Sequence, residues 1–147
     1  MRKLLPVLLV AAALIPMGVV SASASHRDGS VRKVTVPAED RFAPFSVTIH
    51  AGDAVRWSNG DEDDHTVVSD DAFNTAGHKG TDHLLEVGGT FVLHFNHPGV
   101  FVYYCRFHAH LDSFNQPVAP GPDGGIQDEN GNYGTPMSGV VTVLPED

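Results

Sequence analysis

Seven short β-type runs, with nothing like a long amphipathic helix among them, constrain this chain more than any other feature. They are "VRKVTV" (Val31 to Val36), "FSVTIH" (Phe45 to His50), "DAVRWSN" (Asp53 to Asn59), "HTVVS" (His65 to Ser69), "TFVLHF" (Thr90 to Phe95), "VFVYYC" (Val100 to Cys105) and "GVVTVL" (Gly139 to Leu144). The first three alternate apolar with polar residues, which gives each one face for a core and one for solvent, and Pro37, Pro44 and Ala51-Gly52 separate them. The pattern predicts an all-β fold, a Greek-key β-sandwich of about seven to eight strands. Residues 70 to 89 are expected to be loops or a short helical turn. Residues 109 to 136, rich in Gly, Pro, Asn and Asp, read as one long loop. No internal repeat is visible.

Ahead of these runs, Arg2 and Lys3 precede an apolar stretch from Leu4 to Val20, and small residues close it at Ala22-Ser23-Ala24. This is the layout of a signal peptide. Cleavage after Ala24 is expected, with residues 25 to 30 as a flexible lead-in and 31 to 147 as one domain large enough for a core. The exported product is expected in the periplasm or outside the cell, free or membrane-associated, without stable membrane insertion. Without Arg2 and Lys3 the chain has 18 acidic and 7 basic residues, a net charge of −11 with histidine neutral. Such a charge makes nucleic acid and anionic membrane surfaces poor partners.

A single cysteine, Cys105, excludes an intramolecular disulfide framework. It stands at the end of a strand that should follow a tight turn at Pro98-Gly99. Phe101, Tyr103 and Cys105 share one face of this strand, and Val100, Val102 and Tyr104 the other, so both faces are apolar and a central strand is expected. His108 follows Cys105 at the C-x-x-H interval. His65 opens another strand and can reach the same end of the sandwich. Met137 immediately precedes the last strand and is the only methionine beyond the leader. A thiolate, two imidazoles and a thioether describe a blue-copper site, whereas zinc gains little from a thioether.

In these residues the chain resembles the cupredoxins of the plastocyanin, amicyanin and pseudoazurin type. "VTIHAGDAVRWSN", "DHTVVSD", "GVFVYYCRFH" and "MSGVVTV" occur in the family's order. The resemblance implies one copper ion held by His65, Cys105, His108 and Met137, and one-electron transfer as the activity. It also implies that His108 is the partly exposed ligand, with an apolar patch around it for transient docking of redox protein partners. Two departures stand out: residues 109 to 136 intervene before Met137, where the family usually has a few residues, and Thr66 follows the first histidine where plastocyanins often have Asn.

Rival readings are few. His110 is the alternative to His108, because azurins and multicopper oxidases use a five-residue interval. His50, His78, His83, His94 and His97 could form a second metal site, but an i, i+3 pair such as His94 and His97 points to opposite faces of a strand. Trp57, Phe91 and Phe95 read as core. The acidic run Asp61 to Asp64 reads as a solvated loop beside His65, able to steer a basic partner. An electron carrier rather than a catalyst, acting as a monomer, is expected, since a copper nitrite reductase needs a second copper with an open position. A copper carrier or store without electron transfer is the alternative function, and a metal-free immunoglobulin-like domain the structural one.

Overall fold

The computed structural model describes residues 29–69, 81–121, 126 and 134–146. The expected signal peptide, most of the lead-in and His78 lie outside them. The described strands are β1 (Val31–Val36), β2 (Ser46–His50), β3 (Ala54–Asn59), β4 (His65–Ser69), β5 (Thr81–Leu85), β6 (Thr90–His94), β7 (Gly99–Tyr104), β8 (His110–Leu111), β9 (Pro117–Val118) and β10 (Ser138–Leu144). No helix among the described residues is long and apolar enough to cross a membrane.

Two sheets carry the fold. One has the order β1-β3-β6 and the other β2-β10-β7-β4-β5. The chain passes from one sheet to the other between β1, β2, β3 and β4, so β1 pairs with β3, and β2 with β10, in parallel. The remaining ladders of the two sheets are antiparallel. This is the expected all-β sandwich, with β7 in the middle of the larger sheet as expected. Its inward face is buried at Phe101, Tyr103 and Cys105, while Val100 on the other face is 64% exposed.

Alternation along the strands builds the core. Val34 and Val36, Val47 and Ile49, Val55 and Trp57, and Val141 and Val143 all turn inward. Trp57 is fully buried, edge-on to Tyr103 at 5.3 Å and stacked on Phe91 at 5.7 Å. Phe95 is buried and Phe91 packs against the cluster, as their sequence pattern implied. Gly139 faces Tyr103 so closely that a Cβ would stand 2.4 Å from the phenol oxygen, which closes this position to any side chain.

Two expectations about connections are corrected. Within residues 70 to 89, Thr81–Leu85 forms a strand, β5, at the edge of the larger sheet. An edge strand needs few inward apolar residues, and "TDHLL" buries only Leu85, too little for a period to show. The described part of residues 109 to 136 likewise holds paired backbone. His110 pairs with Val118 and Leu111 with Pro117, and Ile126 bridges Thr135. Asp112 builds the hairpin turn, its Oδ1 accepting from the amides of Phe114 (2.8 Å) and Gln116 (3.0 Å). Strands of two residues are too short to leave a pattern.

Candidate metal centre

The β7–β10 ladder decides where Met137 lies. Ser138 stands opposite Tyr104, and one step further the Cys105 amide donates to the Met137 carbonyl at 2.9 Å. The residues between His108 and Met137 therefore leave and return at one place. Cys105 to His108 is a turn closed by the His108 amide on the Cys105 carbonyl (3.2 Å), and the Met137 amide donates to the His108 carbonyl (3.3 Å). Short local bonds thus lock Cys105, His108 and Met137 together.

His65 enters from β4, which is buried along its whole length. Its Nδ1 lies 3.8 Å from Cys105 Sγ, and His108 Nδ1 lies 3.7 Å from the same sulfur. The donor atoms of His65, Cys105 and His108 fall within 4.8 Å of one another. Cys105, His65 and Met137 are fully buried. His108 keeps 23% of its side chain exposed.

Thr66 ties the sulfur to the scaffold. Its amide donates to Sγ at 3.4 Å and its hydroxyl lies 3.7 Å from Sγ, while the same hydroxyl accepts the Arg106 amide at 2.9 Å. The threonine found where plastocyanins often have Asn thus bridges the two strand ends. Behind the histidines stand two carboxylates that the sequence did not single out as parts of the site. Asp61 Oδ2 accepts from His65 Nε2 at 3.2 Å. Asp40 Oδ1 lies 3.5 Å from His108 Nε2 and 3.9 Å from His65 Nε2. Asp61, four residues before His65 in the acidic run, was within reach of sequence reasoning. Asp40 comes from a different loop and left no signal.

Residues 32–113 match the family model for copper binding proteins of the plastocyanin/azurin family. The chain belongs to that family. Its members are generally blue copper proteins that transfer electrons. Among solved structures, amicyanin from Paracoccus versutus (Thiobacillus versutus) is similar at 18% identity and a TM-score of 0.50, covering 84% of this chain and 86% of that one. A reduced amicyanin mutant gives 20% and 0.52, with 82% and 88% covered. A purple cupredoxin from Nitrosopumilus maritimus gives 22% and 0.48, with 77% and 99% covered. At these identities the likeness to the two amicyanin structures is one of fold.

The donor set of this cupredoxin fits one copper ion: a buried sulfur, two converging imidazole nitrogens and a buried methionine locked beside them. His110 is exposed and sits in the β8–β9 hairpin, and it is absent from the groups of converging donors among the described residues. The geometry therefore favours His108. His50, His83, His94 and His97 join no such group either. His83 stacks on Phe91 at 4.0 Å instead.

Electrostatics prepare the sulfur. Burial pushes the Cys105 thiol up, but hydrogen bonds with His65, the Phe107 amide and Thr66 outweigh it and bring the thiol from 9.0 down to about 6. Burial works to lower the pKa of His65, yet its contacts with Cys105, Asp61 and Asp40 leave it raised. A folded-state thiol more acidic than the unfolded one contributes stability that is complete above the ordinary thiol value and is lost as pH falls through about 6. In the metal-free protein, the ultraviolet absorbance of the thiolate is expected to rise with a midpoint at about pH 6. A midpoint at the ordinary thiol value would show that these hydrogen bonds do not hold in solution.

Proposed function

We propose that this protein is an exported one-electron carrier, with copper held by His65, Cys105, His108 and Met137. The observation that carries the reading is the convergence of His65 Nδ1 and His108 Nδ1 on the buried Cys105 sulfur, at 3.8 and 3.7 Å. Copper bound there supplies a Cu(I)/Cu(II) couple.

The chain's own residues do the rest. Cys105 and His108 share one turn, and His65 is fixed by a fully buried strand, so the donors keep their places when the charge of the site changes. Thr66 orients the sulfur and Asp61 orients the His65 ring. Little rearrangement then opposes electron transfer. His108, the donor with an exposed edge, is the route for the electron, and the half-exposed Phe107 beside it offers apolar surface for brief docking of a redox protein. The strongly acidic surface favours partners with a basic face.

Visible spectroscopy tests the reading. The mature protein loaded with one equivalent of Cu(II) is expected to show an intense blue or green band that ascorbate bleaches and a mild oxidant restores. A protein that binds Cu(I) but shows no such band would instead be a copper carrier or store.

A further inference from the structure

Asp40 combines an unusual backbone with an unusual position. It follows Glu39 in the loop between β1 and β2, and the two residues have φ of 76° and 49°. Consecutive left-handed residues other than glycine are uncommon and cost free energy, so the surroundings must impose the conformation. They do so from several sides. The loop is pinched at its base, where Thr35 and Ala43 exchange amide bonds of 2.8 Å. Phe42 is buried and packs edge-on against Tyr103 at 4.8 Å. The Asp40 amide itself donates to Asp61 Oδ2 at 3.4 Å.

The result is a carboxylate behind both imidazoles. Asp40 Oδ1 stands 3.5 Å from His108 Nε2 and 3.9 Å from His65 Nε2, on the side of each ring away from Cys105. Asp61 contacts only His65 among the two rings. Of these two carboxylates, Asp40 is the one that faces the outer nitrogens of both rings. Its side chain is 34% exposed, so water screens its charge only in part.

We propose that Asp40 is a positioning residue of the metal centre, whose carboxylate orients His108 and whose negative charge favours the more highly charged state of the metal, lowering the reduction potential. The inference rests on the copper reading above. A carboxylate facing Nε2–H fixes the ring and makes Nδ1 a better donor. A fixed negative charge facing the outer nitrogens of both rings would favour Cu(II) over Cu(I) in a copper-loaded site, because the oxidised ion carries one more positive charge. Nothing in the fold of a sandwich requires a carboxylate at this point.

The test is a spectroscopic redox titration of copper-loaded wild type, Asp40→Asn and Glu62→Gln. Asn tolerates positive φ as well as Asp does, so D40N removes the charge and keeps the backbone. Glu62 is exposed in the neighbouring loop, and E62Q removes the same charge without touching either ring. All three proteins are expected to keep the visible band. D40N should shift the Cu(I)/Cu(II) ratio at a fixed poise toward Cu(I) by roughly tenfold, a rise of about 59 mV for a one-electron couple, and E62Q by much less. Asp40→Gly, which also accepts positive φ, should move in the same direction and serves if D40N does not load. An unchanged or lowered potential in the Asp40 variants, or an equal shift in E62Q, overturns the role of Asp40 while the copper centre stands. Absence of the band in wild type overturns the copper reading, and the role of Asp40 with it.

Discussion

Cys105→Ser is expected to abolish the intense visible absorption of the copper-loaded protein while leaving the metal-free protein folded. The substitution is nearly isosteric in a fully buried position, and the Thr66 amide that donates to Sγ can donate to a hydroxyl oxygen instead. What serine cannot supply is a soft anionic sulfur. The thiol is acidified to about 6, so it is largely thiolate near neutral pH, whereas an alcohol in the same place stays protonated. A thiolate is also what selects copper here over harder metals. Circular dichroism of the metal-free variant should match wild type, and its copper spectrum should lack the strong band. A variant that kept the band would place the chromophore on some other residue and remove Cys105 from the centre.

Trp57→Ala is expected to destabilise the metal-free protein by about 3–5 kcal/mol, the usual cost of deleting a large buried aromatic side chain. Trp57 lies on β3, in register with Val34 of β1 and Phe91 of β6, and projects between the sheets onto Tyr103. Its neighbours belong to separate ladders, so the walls of the resulting cavity cannot close without shifting strands that backbone hydrogen bonds hold. Urea unfolding followed by far-ultraviolet circular dichroism should show a lower midpoint with a similar slope. A loss under about 1 kcal/mol would mean that the sheets do not depend on this contact.

Both predictions use residues that the sequence already marked. The inward positions of β1, β3, β7 and β10 follow from alternation, because burying one face of a strand requires period two. Cys105, His65, His108 and Met137 were legible from residue chemistry, since few other purposes bring a lone thiol, two imidazoles and a lone thioether together in that order. Strand β5 and the β8–β9 hairpin were not. Their pairing comes from backbone hydrogen bonds at an edge and in a turn, where side-chain hydrophobicity exerts little selection.

Fold class, the soft donor set and the acidic charge could all be read along the chain, because each depends on residue type and local order. Three further matters depend on how the chain packs. The β7–β10 register sets Met137 beside Cys105 despite the long excursion between them, since a ladder aligns strands whatever the length of chain that joins them. The tight turn after Cys105 brings His108 to the sulfur, while pairing with Val118 places His110 in an exposed hairpin. Asp40, from a loop distant in sequence from both histidines, reaches their outer nitrogens only because packing of Phe42 and the pinch at Thr35 and Ala43 hold that loop over the site. Contacts of this last kind join positions with no common period, so no pattern along the chain announces them.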